Sequence, residues 1–326
     1  MILWKWGPVD CRGGVGYVTG VGELPHDGVP VRKVAPETVV AKEVVVEKWP
    51  IGVFASIDAG LGVKLEVVHA LGIPTIHLHA PKKATRTREN AEAFVKRLAE
   101  LGIRITVVFG GFEGESYADI PTTAKTVGLV PAETRAERVQ EIKEISDFAK
   151  LLGVDTVALH LGFIPHDAGA GLFEAVVAVT QEICDHCKSN GQRFHLETGQ
   201  ESAEDLLQFI AAVDRDNLFV NFDPANMILY GSGEPVEALG KVAKYVRSVH
   251  CKDATWSDKP GETWGAEVPL GQGAVGMESF LAKLNEIGYD GPLTIEREIP
   301  QDPERQKAEI GAGAQLLTDL RARLLS

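Results

Sequence analysis

From residue 50 onward, the chain repeats one pattern of hydrophobic and polar positions. An amphipathic helical stretch is followed by a Gly or polar turn, and then by a short apolar run that ends in a polar residue. Gly in such a turn adopts the left-handed conformation that ends a helix. Short apolar runs that alternate with helices are typical of buried parallel strands. The pattern therefore predicts alternating strands and helices.

Eight strand–helix units follow one another without a break. We predict strands at 51–57, 75–79, 104–109, 155–160, 193–197, 218–223, 247–250 and 292–296, and helices at 63–71, 88–101, 134–152, 173–189, 203–213, 235–245, 277–287 and 303–325. Eight units in sequence favour a closed (β/α)8 TIM barrel of the α/β class. The rival, an open doubly wound sheet, usually has a Gly-rich phosphate loop after its first strand, and residues 57–62 match one only weakly.

Residues 1–49 lie outside the repeat. They contain Gly, Pro and Asp turns and the alternating run VVAKEVVV at 39–46. We expect a short N-terminal extension at 1–49, folded as a hairpin packed on the barrel, and a single barrel domain at 50–326.

Composition and charge exclude several classes of function. The formal net charge is −13, and the longest basic stretch is the short one at 82–88, so nucleic-acid binding is disfavoured. No stretch approaches the ~20 apolar residues that cross a bilayer, and the start lacks the order of a secretory signal. Four cysteines in 326 residues do not form a disulfide framework. We expect a cytoplasmic protein that binds neither nucleic acid nor membrane; whether it is a monomer or a homo-oligomer stays open.

Four successive predicted strands, the fifth to the eighth, end in residue types that bind metals: Glu197, Asp223, His250 and Glu296. The carboxyl ends of the strands form the rim of a TIM barrel that carries the chemistry. One charged residue at a strand exit is ordinary, but four in a row form a specific pattern. Three carboxylates crowded at a partly dry rim repel one another unless a cation neutralises them. The sequence therefore predicts a metal site at this rim.

The residue types also indicate the metal. Carboxylates favour Mg²⁺ or Mn²⁺, and an imidazole shifts the preference toward Mn²⁺, Fe²⁺, Co²⁺ or Zn²⁺. We expect a divalent metal, Mn²⁺ first, with Co²⁺, Mg²⁺ and Zn²⁺ as alternatives and with positions left for water or substrate oxygens.

Several segments resemble the xylose-isomerase-like barrels, the sugar phosphate isomerase/epimerase superfamily that includes ketose 3-epimerases and inosose dehydratases. The resemblance runs from about residue 50 to the C-terminus and is carried by GVDTVA at 153–158, HLE at 195–197, NFDPAN at 221–226, VHCKD at 249–253 and GPLTIE at 291–296. It implies that the Glu, Asp, His, Glu series binds a catalytic Mn²⁺, Co²⁺ or Mg²⁺. It also implies that Glu197 and Glu296 flank the substrate as acid and base.

Two positions depart from the ketose 3-epimerase pattern. Asn226 stands where those enzymes usually have a histidine, and Ala203 stands where they have a further glutamate. Both differences put the 3-epimerase assignment in doubt and leave the metal set intact. The endonuclease branch of the superfamily needs further zinc ligands, for which His77, His79 and His160 are available, but the acidic charge argues against DNA.

Six residues are candidates for binding the substrate: His79, His160, Asn226, Lys252, Trp256 and Trp264. Each histidine is either a partner for a substrate hydroxyl or a histidine of the barrel core. Lys252 points the same way as His250, toward a substrate oxygen or toward an ion pair with Asp253 or Glu298. The two tryptophans lie in the long loop after the seventh strand and are either sugar platforms or buried anchors of that loop.

Glu298 and the cysteine pair Cys184 and Cys187 need separate interpretations. Glu298 shares the parity of Glu296 and is the fallback metal ligand. Cys184 and Cys187 have C-x-x-C spacing, but they lie inside a predicted helix and we interpret them as part of a helix face.

We predict a divalent-metal-dependent isomerase or epimerase that acts on a sugar or cyclitol through an enediolate. A dehydratase or 3-keto-glycoside lyase is the first alternative, because the same residues could eliminate a group β to a ketone. A non-catalytic sugar-binding barrel is the second alternative. The fold does not choose among them.

Overall fold

The apolar runs of the repeat form strands. In residues 48–58, 62–167 and 171–326, the part that the computed structural model describes, these strands are β1 (Ile51–Ser56), β2 (Val63–Lys64), β3 (Thr75–His79), β4 (Arg104–Phe109), β5 (Thr156–Leu159), β6 (Arg193–Glu197), β7 (Leu218–Phe222), β8 (Val246–Cys251), β9 (Asp253–Thr255), β10 (Ala266–Val268) and β11 (Leu293–Ile295). The predicted hairpin at 1–49 lies outside these residues, apart from positions 48 and 49.

Eight of these strands close into a barrel. β1, β3 to β8 and β11 pair in parallel, each with the next, and β11 pairs back with β1 through Ile51 and Leu293. β2 adds to the edge of β1 in parallel, and β9 and β10 form a separate antiparallel pair. The predicted TIM barrel of the α/β class is confirmed.

The helices alternate with the barrel strands. They are α1 (Leu65–Ala70), α2 (Arg88–Leu101), α3 (Ile120–Thr126), α4 (Ala132–Leu151), α5 (Gly171–Ser189), α6 (Ala203–Val213), α7 (Pro224–Tyr230), α8 (Pro235–Val242), α9 (Met277–Glu286) and α10 (Pro303–Leu325), with a 3-10 turn at Lys83–Thr85. Cys184 and Cys187 lie in α5 as buried free thiols, as the helix-face interpretation expects.

Two helices, α3 and α7, are absent from the sequence prediction. Each has seven residues and begins at an aspartate N-cap, Asp119 or Asp223, with a proline in its first turn. α7 is almost wholly buried, so it lacks the alternating polar face that reveals a longer helix. Periodicity therefore missed both, although the caps that start them are visible in the sequence.

The interior of the barrel differs from the main hydrophobic core. The main core lies between the strands and the surrounding helices, whereas a second, small apolar cluster comprises Phe54, Val107, Phe109 and Ala158. The remaining inward positions of β3, β6, β8 and β11 are polar and buried, and they include His77, His195, Ser248, His250 and Thr294. The inside of the barrel is thus a polar column flanked by two phenylalanines.

Candidate metal centre

Four strand ends bring the predicted metal ligands together. Glu197 is the last residue of β6, Asp223 follows β7, His250 lies near the end of β8, and Glu296 follows β11. One ligand atom from each residue lies within 4.8 Å of the others. Side chains two residues apart on a strand share a face, so each ligand points inward like the polar residue that precedes it by two positions.

The local sequence fixes the orientation of Asp223. Its Oδ1 accepts hydrogen bonds from the backbone N–H groups of Ala225 and Asn226, at 2.8 and 3.1 Å, as the N-cap of α7. Thr198 secures the backbone, because its hydroxyl donates to the carbonyl of Asp223 and accepts from its N–H. Oδ2 remains buried without a hydrogen-bond partner among the described residues. One oxygen of Asp223 is therefore used in capping the helix, and the other is available to a cation.

The Nδ1 atom of His250 faces the carboxylates of Glu197, Asp223 and Glu296. Its Nδ1 lies 2.6 Å from Oε1 of Glu197, 3.2 Å from Oε2 of Glu296 and 3.8 Å from Oδ2 of Asp223. None of these contacts has hydrogen-bond geometry, so within the described part of the chain this buried nitrogen has no hydrogen-bond partner. Buried polar atoms without partners are rare and call for an explanation. Three carboxylates and one imidazole nitrogen around one point fit a divalent cation.

The opposite ring nitrogen of His250 is held by a second histidine. Nε2 lies 3.0 Å from Nδ1 of His77, and Nε2 of His77 lies 3.2 Å from Oγ1 of Thr294. The ring of Phe109 packs against both imidazoles, at centroid distances of 5.5 Å from His77 and 4.8 Å from His250. A proton on Nε2 of His250, donated to His77, leaves Nδ1 as a lone-pair ligand.

The two glutamates have pKa values shifted in opposite directions. Burial and repulsion from Glu296 raise the pKa of Glu197, with His250 opposing them. Burial also acts to raise the pKa of Glu296, but Lys252 and His250 hold it well below its usual range. Burial lowers the pKa of His250, but the attraction of Glu296 and Glu197 outweighs it and raises this pKa to about 10, so without a metal the ring carries a proton on both nitrogens. A divalent cation would take the place of the Nδ1 proton and of its positive charge among the carboxylates.

A cavity of about 1320 Å³ opens at the carboxyl ends of the strands. Glu197 and Glu296 line it, while Asp223 and His250 are fully buried behind them. The cavity is ample for a monosaccharide-sized ligand. Five of the six predicted substrate contacts also line it: His79, His160, Asn226, Lys252 and Trp264.

Lys252 is a buried cation in the wall of this cavity. Its Nζ lies 3.2 Å from Glu296, 2.9 Å from Glu298 and 3.5 Å from Oδ1 of Asn226. Asn226 is itself positioned by a hydrogen bond from its side-chain amide to the carbonyl of Thr198. Of the two glutamates, Glu296 belongs to the cluster of four candidate metal ligands, whereas the side chain of Glu298 is 65% exposed and pairs with Lys252.

Aromatic side chains form another part of the cavity wall. The ring of Tyr230 stacks on His160 with a centroid distance of 5.7 Å and meets Trp264 edge-on at 4.5 Å. The N–H of Gly162 donates to Nδ1 of His160, and burial, with the charge of Lys252, lowers the pKa of His160 to about 4. His160 is thus neutral, with its proton on Nε2, which lies 3.3 Å from the Tyr230 hydroxyl.

Trp256 is the one predicted substrate contact that does not line the cavity. Its ring packs against the main hydrophobic core, so the structure supports the reading of a loop anchor at this position. The lining residues that sequence reasoning missed include two tyrosines, Tyr117 and Tyr230. The signal for Tyr230 was the Asp223–Pro224 pair, because an N-cap followed by proline starts α7 and α7 ends at this tyrosine.

Comparison with known proteins agrees with this geometry. The family model described as xylose isomerase-like TIM barrel matches residues 65–320. The chain therefore belongs to the xylose isomerase-like TIM barrel family.

No helix in the described part of the chain is long and apolar enough to span a membrane.

Individual relatives carry different descriptions. A xylose isomerase domain protein from Planctomyces limnophilus is 59% identical, with a TM-score of 0.84 over 86% of this chain and 99% of that one. A xylose isomerase-like TIM barrel protein from Mycobacterium smegmatis, solved in complex with magnesium, has 19% identity and a TM-score of 0.65 over 85% of this chain and 98% of that one, which shows a shared fold. An inosose dehydratase from Clostridium botulinum is 29% identical over 120 residues, which are 33% of this chain and 39% of the dehydratase.

Proposed function

We propose that the protein is a divalent-metal-dependent isomerase or epimerase of a sugar or cyclitol, with Glu197, Asp223, His250 and Glu296 as metal ligands and Mn²⁺ as the preferred metal. The observation that carries the proposal is the placement of two glutamates in one donor cluster, both lining the cavity and with pKa values displaced in opposite directions. Carboxyl groups whose environments separate their pKa values are the usual arrangement for paired acid and base roles.

The imidazole in the donor set supports Mn²⁺ over Mg²⁺. The alternative is Mg²⁺, because the Mycobacterium smegmatis protein was solved with magnesium. That protein has the same fold as this chain, at low sequence identity. When bound, either cation would polarise a substrate carbonyl and stabilise negative charge on its oxygen.

The residues of this chain supply the proton transfers. Glu296, held ionised by Lys252, would accept the proton from the carbon next to the carbonyl. Glu197, whose pKa is raised, holds a proton that it can deliver from another strand end. Delivery of that proton to the opposite face of the same carbon gives an epimer, and delivery to the neighbouring carbon gives an isomer. His160, Asn226 and Lys252 line the same cavity and would bind hydroxyl or carbonyl oxygens of the substrate.

A second candidate is a dehydratase or 3-keto-glycoside lyase. The similarity to the Clostridium botulinum inosose dehydratase favours it, although that match covers 39% of the dehydratase. Removal of the same α-proton would then be followed by loss of a β-hydroxyl or β-glycosyl group, which leaves with a proton. The proton that Glu197 holds could leave with that group.

Solvent isotope exchange tests the proposal and separates the two candidates. The protein, reloaded with Mn²⁺, is incubated in deuterated water with a panel of ketoses, keto-glycosides and inososes. Deuterium in recovered substrate and in an epimer or isomer supports the first candidate, and an unsaturated product supports the second. Wild-type protein that shows neither exchange nor elimination on any panel member, while the metal is bound, would point instead to a sugar-binding barrel.

A further inference from the structure

A second cavity lies at the opposite end of the barrel. Its volume is about 530 Å³, and it is lined by the first residues of several strands, by the C-terminal half of α2 and by the turn after α4. Arg193, at its edge, begins the strand that ends in Glu197, so about 13 Å of extended chain separates this cavity from the metal centre. The two sites do not share a ligand.

The lining of this cavity is positively charged, whereas the chain as a whole is negatively charged. Arg104, Arg193 and Arg247 line it, and Asp155 is its one lining carboxylate. Asp155 pairs with Arg193 at 3.4 Å, in a contact where both side chains are at least half exposed. Within residues 48–58, 62–167 and 171–326, Arg104 and Arg247 have no carboxylate partner. Three guanidinium groups against one carboxylate leave two positive charges, in a protein whose net charge is −13.

A buried histidine supplies a polar group at the inner end of the cavity. His195 is 1% exposed and its Nδ1 lies 2.8 Å from the hydroxyl of Ser248. Its Nε2, on the far side of the ring, is buried and has no hydrogen-bond partner in the described part of the chain. If the Ser248 hydroxyl donates to Nδ1, Nε2 carries the proton and is a donor.

The backbone is irregular at two residues of the same cavity. Between β3 and β4 the pairing moves from Ile76–Ile105 to His77–Val107, which makes Thr106 an extra residue. Between β7 and β8 it moves from Val220–Val246 to Asn221–Ser248, which makes Arg247 an extra residue. β-Bulges change the direction of side chains and are frequent beside binding sites. The guanidinium of Arg247 also packs over the ring of Phe219, at 4.6 Å, which restricts its position.

From these contacts we infer that the amino-terminal mouth of the barrel is a binding site for a phosphate group, held by Arg104, Arg193 and Arg247 and by the Nε2–H of His195. A dianion matches the two unbalanced positive charges, and guanidinium groups bind phosphate oxygens in a bidentate manner. The volume accommodates either free phosphate or the phosphate of a small ester. The site is separate from the metal centre and does not depend on the proposed reaction.

Calorimetric titration of the full-length, Mg²⁺-loaded protein with inorganic phosphate tests the inference. We expect saturable binding of one phosphate per chain. Arg104→Gln and Arg247→Gln should each weaken this binding by about tenfold or more. Both side chains are exposed, so neither substitution should unfold the protein. Arg323→Gln, which removes an exposed arginine of α10, should leave it unchanged. Glycerol 3-phosphate serves as a second probe: tighter binding than phosphate identifies a phosphorylated metabolite, and equal binding identifies the free ion.

Phosphate could also bind at the metal centre, and two further variants separate the sites. His195→Gln should weaken binding at the amino-terminal mouth, whereas Glu197→Gln should leave it unchanged. The inference is overturned if no saturable binding occurs, or if binding is unaffected by Arg104→Gln, Arg247→Gln and His195→Gln but is lost with Glu197→Gln. Neither result bears on the isomerase proposal, which is tested with sugars at the other end of the barrel.

Discussion

Nδ1 of His77 lies 3.0 Å from Nε2 of His250, inside the barrel and next to the cluster of candidate metal ligands. His77 is completely buried, and its other nitrogen meets the hydroxyl of Thr294 at 3.2 Å. With one proton donated from His250 to His77 and another from His77 to Thr294, Nδ1 of His250 would be the ring nitrogen left for a cation. Partners of this kind orient the ligand and raise its basicity.

We therefore predict that His77→Gln weakens Mn²⁺ binding by about 10- to 100-fold, the usual effect of removing such a partner. Thr294→Val should also weaken Mn²⁺ binding, but by less, because Thr294 contacts His77 and not His250. The measurement is competition with a chromophoric chelator, and His69→Gln on the exposed face of α1 is the control. Unchanged affinity in a folded His77→Gln protein would refute the tautomer argument.

Glu296 and Glu298 should respond differently to the same substitution. Glu296→Gln removes a cluster carboxylate and should lower Mn²⁺ affinity by about 100-fold or more, whereas Glu298→Gln removes only an exposed partner of Lys252 and should lower it little. Both variants keep side-chain size, so they form a matched pair in the same titration. Greater metal loss from Glu298→Gln would mean that the register at the end of β11 is wrong.

The barrel and the composition of its rim were predictable because both depend on short-range periodicity. Alternation of strand side chains places His195 and Glu197, or Thr294 and Glu296, on the same inward face, and parallel pairing brings the strand ends to one rim. The sequence therefore indicated which residues lie close together at the rim, but it did not give the distances between their ligand atoms.

Other features depend on tertiary contacts that leave no periodic signal. The β-bulges at Thr106 and Arg247 lie in pairings between strands that helices separate in the sequence, and α7 is buried on nearly all sides. Trp256 and Trp264 are indistinguishable as loop residues, yet one packs on the core and the other lines the cavity. Only the fold of the long loop, with its β9–β10 pairing, separates them.

The two tryptophans give a paired test of the cavity wall. Trp264 lines the cavity and meets Tyr230 edge-on, so a bound sugar should change its environment. Trp264→Phe should raise KM by about tenfold with a smaller change in kcat, since it removes contacts made to the bound substrate as a whole. Trp256→Phe should leave KM unchanged. Steady-state kinetics on the substrate identified by isotope exchange provide the measurement, and equal effects of the two substitutions would contradict the assignment.

A buried carboxyl near the site predicts a pH dependence of stability. Glu201 is 3% exposed, and burial raises its pKa from 4.5 to about 7, although backbone N–H groups of Gly199 and Glu201 donate to it. Because the folded state holds the Glu201 proton more tightly than the unfolded state, this carboxyl's contribution to stability is fully present below pH 4.5 and is lost as the pH rises through about 7.

Glu201→Gln should remove this contribution, which is on the order of 3 kcal/mol between pH 4.5 and 8. Urea unfolding at pH 5 and pH 8, in chelator throughout, gives the free energies of unfolding. The difference between the two pH values should be smaller in Glu201→Gln than in wild type, and Glu204→Gln, at an exposed carboxyl, should not reduce it. An unchanged difference in Glu201→Gln would show that this carboxyl is already ionised at neutral pH.

The metal centre is the central claim, and the number of Mn²⁺ ions bound per chain tests it most directly. Protein is stripped with chelator and reloaded, and bound Mn²⁺ is counted by electron paramagnetic resonance during titration. We expect one tightly bound Mn²⁺ per chain in wild type. His250→Ala should lose most of it while remaining folded by circular dichroism, because the ligands sit at the rim and the main core lies outside the barrel. A folded His250→Ala protein that still binds one Mn²⁺ with wild-type affinity would contradict the account.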